Sequence, residues 1–187
     1  MTAAGHVPWL VEYAGRKGFR YSPEADERWL RAWEPYATLR VPVRYEHVLE
    51  STGDVGSLTV ARFVVESGAS AWIAIAQDTR MKGRAALTSD GGSAFAEPLD
   101  LVTLPRTTTG DAPFDAAFAT FAPSAGELAD AVSPRTRRLA LSWQTPAHVE
   151  VRAGGFVLAP VALGADPASL SWLVRAVYAL GNRDREP

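Results

Sequence analysis

The segment Thr107-Thr-Thr-Gly-Asp-Ala-Pro-Phe-Asp-Ala-Ala-Phe-Ala-Thr-Phe121 carries the clearest structural signals in the chain. Gly110 allows a positive φ, which a sharp turn requires. The carboxylate of Asp111 can accept a hydrogen bond from a following backbone N–H. The sequence from Thr109 to Asp111 therefore predicts a corner that also caps a helix.

Two spacings of apolar residues overlap after this corner. Phe114 and Phe118 lie four residues apart and share a face in a helix, whereas Phe118, Thr120 and Ala122 share a face in a strand. We expect a single helical turn followed by a strand.

Two helix starts follow the corner. Ser124 and Glu127 have the spacing of a capping box, so a short helix begins there. Ser133-Pro134 provides a second cap with proline at the first helical position. In that second helix, one side carries Arg135, Arg137 and Arg138, and the other carries Leu139, Ala140 and Trp143.

The pattern Gly110-Asp111-x-x-Phe114-Asp115-x-x-Phe118 resembles a group of uncharacterised bacterial domains of unknown function. In those domains a TGD-x-x-FD-x-x-F segment precedes helices, a hairpin and a C-terminal helix. A weaker similarity to the same domains lies upstream, at Tyr13-Ala14 and Gly18-Phe19. The resemblance implies this order of elements, with the five motif residues in a structural role, and it implies no particular activity.

Composition narrows the class of protein. The chain has 187 residues, of which 47% are hydrophobic and 21% are charged, so we expect one domain that buries roughly 70% of its unfolded surface. The net charge of −2 gives no general attraction for nucleic acid, and no nucleic acid is expected as a partner. The absence of cysteine excludes disulfides, thiolate metal sites and thiol catalysis.

The predicted organisation is a single domain over residues 1–187 with four parts. These are a helical N-terminal part (1–36), a strand-rich part (37–122), a part with helices, a hairpin and a C-terminal helix (123–181), and a tail (182–187). We find no signal peptide and no apolar run long enough to span a membrane, and we expect a cytoplasmic bacterial protein.

The N-terminal part predicts two helices. The first covers Pro8 to Arg16 and stops at Gly18. The second begins at Ser22-Pro23 and ends at Pro35, and it places Trp29, Leu30 and Trp33 inward.

The strand-rich part has a period of two. Apolar and polar residues alternate within residues 40–49 and within residues 57–65, and a turn at Gly53-Asp54 separates the two segments. Residues 69–76 form a denser apolar strand, so we predict an antiparallel meander. Residues 89–93, with Gly91-Gly92, predict a loop, and residues 99–104 predict another strand.

The C-terminal part predicts a hairpin and a helix. Residues 148–152 and 155–159 pair through Ala153-Gly154. A helix capped by Asp166-Pro167 carries a stripe of Leu170, Leu173, Val174 and Val177 and stops at Gly181. The predicted fold class is α+β, an antiparallel sheet of about six to seven strands with N-terminal, central and C-terminal helices packed mainly on one face.

Candidate catalytic chemistry is sparse. His6, His47 and His148 lack the spacing of a zinc site, and we interpret them as solvated or strand-face histidines. No Gly-x-Ser-x-Gly elbow is present. We prefer a cap for Asp111 and a solvated face for Asp115 over an acid–base pair. Four tryptophans lie among apolar positions of predicted helices, where core packing explains them: Trp9, Trp29, Trp33 and Trp172. Only Trp72 and Trp143 could border a groove. We therefore predict no catalytic residue, no metal and no cofactor.

Two basic groups are the candidate interaction residues. Arg80, Lys82 and Arg84 share a face if their segment is extended, and Arg135, Arg137 and Arg138 crowd a helix start, where positive charge opposes the helix dipole. The sequence thus favours a non-catalytic module that binds an acidic protein. The alternative is a small-ligand carrier, or a cofactor-independent enzyme, with a cavity between the sheet and the C-terminal helix.

Overall fold

The computed structural model describes residues 7–25, 43–53, 56–89 and 104–181. These residues form five helices and eight strands. The helices are α1 (Pro8–Lys17), α2 (Ala112–Ala117), α3 (Ala125–Ala131), α4 (Pro134–Leu141) and α5 (Pro167–Leu180). The strands are β1 (Arg20–Glu24), β2 (Arg44–Gly53), β3 (Gly56–Val64), β4 (Ser70–Gln77), β5 (Ala85–Ser89), β6 (Phe118–Phe121), β7 (Ala147–Arg152) and β8 (Gly155–Pro160).

All eight strands belong to one antiparallel sheet with the order β1-β2-β3-β4-β8-β7-β5-β6. The α+β class and the antiparallel meander are confirmed. The predicted number of strands was too low, because β1 was interpreted as a helix start and β5 was not recognised. β5 begins with two alanines, which have low strand propensity, directly after the loop signal of Gly83.

The predicted helix start at Ser22-Pro23 is wrong, and the predicted N-terminal part is therefore not helical throughout. Ser22 pairs with Val48 in the sheet, and its hydroxyl donates to the carbonyl of Glu24 at 2.6 Å instead of capping a helix. Strand β1 lies at the edge of the sheet, and edge strands are where a proline, which lacks the N–H, is tolerated. Trp29, Leu30, Trp33 and Pro35 lie outside the described residues.

The predicted caps are confirmed. Ser124, Ser133 and Asp166 each accept a hydrogen bond from a backbone N–H in the first turn of α3, α4 and α5. Gly18 ends α1 in the left-handed conformation, with φ +70°, as glycine readily does. The hairpin of β7 and β8 also forms as predicted.

The two faces of the sheet are packed differently in the described residues. One face shares a single buried cluster with residues from every described helix, and the predicted stripe of α5 lies in it. Its members from the sheet centre include Leu58, Val60, Leu87, Val149 and Leu158. The opposite face carries a smaller cluster of strand residues, which includes Phe63, Ile73, Ile75 and Val157. The C-terminal helix thus meets the sheet through apolar side chains.

Other predicted features lie outside the described residues. These are residues 99–103 of the strand predicted over 99–104, the Gly91-Gly92 loop tip, His6 and the tail after Gly181. Within residues 7–25, 43–53, 56–89 and 104–181, no helix has both the length and the apolar character needed to cross a membrane.

Candidate interaction surface

The corner at Thr109 is closed by one carboxylate. Asp115 Oδ1 accepts from the backbone N–H of Thr109 at 2.9 Å and from its hydroxyl at 2.8 Å. Asp115 Oδ2 accepts from the backbone N–H of Gly110 at 3.0 Å. We call Thr109, Gly110 and Asp115 the Asp115 clamp. The prediction of a solvated face for Asp115 missed this role, because the side chain is only partly buried but three donors of the preceding turn bind its carboxylate.

The electrostatics of the clamp favour the charged carboxylate. Partial burial raises the pKa of Asp115. The hydrogen bonds from Thr109 and Gly110 and the charge of Arg137 lower it by more than burial raises it, so the pKa lies below its ordinary value. The carboxylate therefore stays ionised in mild acid.

Asp111 performs two tasks. Its Oδ1 accepts from the backbone N–H of Phe114 at 3.4 Å, which is the predicted cap of α2. Its Oδ2 accepts from Nε of Arg137 in α4 at 3.2 Å. Asp111 thereby links the corner to α4, and Arg137 is a structural residue. The prediction that Arg137 belongs to an open basic group is not supported by this geometry.

The two phenylalanines of the motif anchor the corner in the core. Phe114 is buried in α2, and Phe118 is buried at the start of β6. Their rings stack with centroids 4.8 Å apart. Phe118, Thr120 and Ala122 are all buried, so the predicted single turn followed by a strand with one inward face is confirmed.

Arg80 is also structural, contrary to its predicted role. Its guanidinium binds both carboxylate oxygens of Asp78, at 3.0 and 2.8 Å, and donates to the carbonyl of Gly181 at 2.6 Å. The Asp78 side chain is fully buried. Arg80 therefore ties the end of β4 to the C-terminus of α5, where a cation is favourable.

Lys82 and Arg84 lie in a loop rather than on a strand face. Gly83 between them has φ +73°, so the predicted extended segment is wrong at this point. A Cβ at Gly83 would lie 2.5 Å from the carbonyl oxygen of Glu127 and 2.8 Å from the backbone nitrogen of Ala131. The loop is thus pressed against α3, and both basic side chains are exposed beside it.

The two remaining arginines lie in the next helix. Arg135 and Arg138 of α4 are both exposed. Arg135 follows Ala131 by four residues, which span at most about 14 Å, so the start of α4 lies within that distance of the point where Gly83 meets α3. We call Lys82, Arg84, Arg135 and Arg138 the basic surface.

The basic surface also contains other kinds of side chain. Asp130 of α3 lies beside Gly83, with its Cβ 3.0 Å from the position that a Cβ of Gly83 would take. Leu141, three residues after Arg138 and hence on the same side of α4, is 40% exposed. The surface is therefore mixed, with a local excess of positive charge and one exposed leucine.

Two histidines are buried on strands. His148 in β7 is fully buried, and burial lowers its pKa to about 4. His47 in β2 is 8% exposed, and its Nδ1 lies 3.0 Å from the hydroxyl of Tyr21. Both are strand histidines as predicted, and neither is solvated. The Tyr21–His47 contact was missed because the two residues are 26 positions apart and no local pattern joins them.

The other predicted site residues are part of the packing. Trp72 is 3% exposed, and Trp143 packs edge to face on Trp172 with centroids 6.1 Å apart. In the part of the chain that the structure describes, no group of three or more His, Asp or Glu residues is arranged to hold a metal ion.

No protein-family model matches the chain, and no curated protein matches it. Among solved structures, the chain is similar to the crystal structure of the mycobacterial trehalose monomycolate transport factor A, TtfA. The TM-score is 0.62 at 13% sequence identity, and the match covers 92% of this chain and 90% of that chain. At this identity the similarity shows the fold alone, and it extends over most of both chains.

Proposed function

We propose that the chain is a non-catalytic interaction module that binds an acidic protein through the basic surface. The observation that carries this proposal is the exposure and the ion pairing of the Lys82, Arg84 and Arg138 side chains. They are exposed, and none of them forms an ion pair with another described residue. Arg80 and Arg137, in contrast, form ion pairs with Asp78 and Asp111.

The support of the surface is also relevant to binding. Gly83 fits against the backbone of α3, and Arg137 fixes α4 to the corner through Asp111. The exposed cations therefore project from elements that are already held in place. A preorganised surface loses less conformational entropy on binding than a flexible one.

Leu141 adds an apolar contact to the same surface. It is one of three large hydrophobic side chains that are exposed in the described residues. A partner that places carboxylates around an apolar side chain would match both features. Charge would then guide the encounter, and burial of Leu141 would contribute to the affinity.

A second candidate is a carrier of a small ligand, and the name of the structural neighbour favours it. TtfA is named a trehalose monomycolate transport factor. A carrier of this fold would need a cavity between the sheet and α5. Leu170, Leu173 and Val177 of α5 are fully or almost fully buried in the same apolar cluster as Leu158, so the first candidate has the better structural support.

Fluorescence anisotropy with a labelled poly-glutamate peptide tests the interaction role. The variant Lys82→Gln/Arg84→Gln/Arg138→Gln should weaken binding about tenfold at low salt, because three exposed charge contacts contribute about 0.5 kcal/mol each. The effect should shrink at high salt, where exposed charges are screened.

The matched control removes the same charge elsewhere. Lys17→Gln/Arg106→Gln/Arg175→Gln changes the net charge equally at positions outside the basic surface. The proposal requires that this control bind the peptide nearly as well as the unmodified chain. Equal losses in both triple variants would show that net charge alone attracts the peptide, and the proposed surface would be rejected.

A further inference from the structure

An exposed carboxylate lies where the loop of the basic surface meets α3. A Cβ at Gly83 would lie 3.0 Å from the Cβ of Asp130, and Gly83 stands in the chain between Lys82 and Arg84. The carboxylate of an aspartate is bonded directly to its Cβ, so the negative charge of Asp130 lies beside two positively charged residues. The sign of the surface therefore changes locally at Asp130.

Local folding does not explain a carboxylate at this position. Asp130 is the second-last residue of α3, and the C-terminal end of a helix carries a partial negative charge that makes a carboxylate unfavourable there. In the described part of the chain, the exposed Asp130 side chain forms no ion pair that would offset this cost. Its presence is better explained by contact with a partner.

The position of the loop relative to Asp130 is fixed by backbone contacts. Gly83 has φ +73°, and a Cβ there would lie 2.5 Å from the carbonyl oxygen of Glu127 and 2.8 Å from the backbone nitrogen of Ala131. Backbone atoms of a helix cannot move aside as the end of a flexible side chain can. Positive and negative charges are therefore presented in a fixed order along this part of the surface.

This order of charges distinguishes between two kinds of acidic ligand. A ligand that is negative at every position sets a negative group against Asp130 as well as against Lys82 and Arg84, and juxtaposed like charges are unfavourable. Nucleic acids and anionic membrane surfaces belong to this kind, because their phosphates recur at every unit. A protein segment can instead place a basic side chain opposite Asp130 and carboxylates opposite the neighbouring cations.

We propose that Asp130 determines the selectivity of the basic surface, because it pairs with one basic residue of an otherwise acidic partner segment and disfavours ligands that are negative throughout. This inference rests on the proposed function, since it takes the basic surface as the binding site. It adds that the acidic partner carries a lysine or arginine between its carboxylates.

Fluorescence anisotropy at about 0.1 M salt tests the selectivity with two kinds of labelled peptide. One is poly-glutamate, and the other is a series of the same length in which a single lysine is moved along the glutamates. The measured quantity is the dissociation constant of poly-glutamate divided by that of the tightest lysine-containing peptide. Asp130→Asn keeps the size of the side chain and removes its charge. This ratio should fall about threefold in the variant, which is the effect of one exposed ion pair.

The matched control is Glu66→Gln, which removes an equal charge from the exposed turn between β3 and β4. Glu66 precedes β4 and the loop of Lys82 follows it, and the eight residues of this strand span about 25 Å. At about 0.1 M salt, exposed charges more than about 10 Å apart are largely screened. The ratio should therefore stay unchanged in Glu66→Gln. An equal fall in both variants would overturn the inference, because net charge alone would then set the preference.

A labelled DNA duplex provides a ligand that is negative throughout. Asp130→Asn should bind it about threefold more tightly than the unmodified chain does, because the repulsion is removed. An unchanged affinity for the duplex would contradict this repulsion. Failure of the proposed function gives a different result: no peptide of either kind would bind the unmodified chain. Peptide binding with the same ratio in Asp130→Asn as in the unmodified chain would reject only the selectivity of Asp130.

Discussion

The sheet ends in β6 on one side and in β1 on the other, and the two edges are held differently. Along β6, the backbone N–H of Thr107 donates to Thr120 and that of Ala122 donates to Pro105, at 3.0 and 3.1 Å. At β1, the hydroxyl of Tyr21 meets His47 across 26 positions of sequence. Strand β1 is also paired with β2 through its backbone, but the contact with His47 adds a titratable side chain at this edge.

The two edges consequently respond to acid in different windows. The folded-state pKa of Asp115 is lowered, so the stability from the clamp next to β6 is present above the unfolded pKa near 3.8 and is lost below it. The folded-state pKa of His47 is also lowered, but the unfolded value is near 6.5. Between about pH 4 and 6.5, the stability contributed by a neutral His47 therefore falls, while the Asp115 clamp keeps its charged carboxylate.

The largest expected effect is on the free energy of unfolding of the whole fold. Any difference between the two edges has to be measured against it. His148 lies in β7, between the two edges, with a pKa lowered to about 4 by burial. Because the unfolded chain binds a proton near pH 6.5, the free energy of unfolding should fall by about 2.5 kcal/mol from pH 7 to pH 4.5. Urea unfolding at both pH values measures it. A free energy that stays constant, or that falls as much in His148→Gln, would contradict this assignment.

The next effect breaks the clamp beside β6. Asp115→Ala leaves the backbone donors of Thr109 and Gly110 without their carboxylate, and we expect a loss of about 2 kcal/mol in unfolding free energy at pH 7. Asp130→Ala, which removes an exposed carboxylate from α3, is the control and should change stability little. Similar midpoints for both variants in urea would show that the clamp contributes nothing specific.

At the β1 edge, Tyr21→Phe should cost about 1 kcal/mol at pH 7, the usual contribution of one partly buried hydrogen bond. The cost should be similar at pH 5, because the hydroxyl can donate to a neutral His47 and accept from a protonated one. Tyr45→Phe provides the comparison for loss of a hydroxyl elsewhere in the same region. A cost no larger than that of Tyr45→Phe would show that the contact with His47 contributes nothing specific to this edge.

The smallest expected effect concerns the link between the corner and α4. A double-mutant cycle with Asp111→Ala and Arg137→Gln should give a coupling of about 0.5 kcal/mol, as expected for a partly exposed ion pair. Asp111→Ala alone should cost about 1 kcal/mol through the lost cap of α2. A coupling of zero would leave Asp111 with its capping role only.

Features set by nearby residues could be predicted from the sequence. The caps at Asp111, Ser124 and Ser133 require only a side chain and a backbone N–H within three residues, and all three form. Ser22-Pro23 has the same local signal and fails. Pairing of Ser22 with Val48, 26 positions away, stabilises a strand there instead, which a local pattern cannot reveal.

The candidate site shows the same division. Exposure of Lys82, Arg84, Arg135 and Arg138 agrees with what charged residues usually do. The roles of Arg80 and Arg137 depend on Gly181 and Asp111, which lie 101 and 26 positions away. Spacing of charges along the chain therefore could not show which of the predicted cations form ion pairs within the fold.

The strand order has a consequence for synthesis of the chain. One edge of β4 pairs with β3 within the meander, but its other edge pairs with β8, which begins about 80 residues after β4 ends. A ribosome adding about 5–20 residues per second needs several seconds for that length. Throughout this interval the apolar strand Ser70–Gln77 has an open edge, so the nascent chain carries an aggregation-prone strand until its last hairpin has emerged.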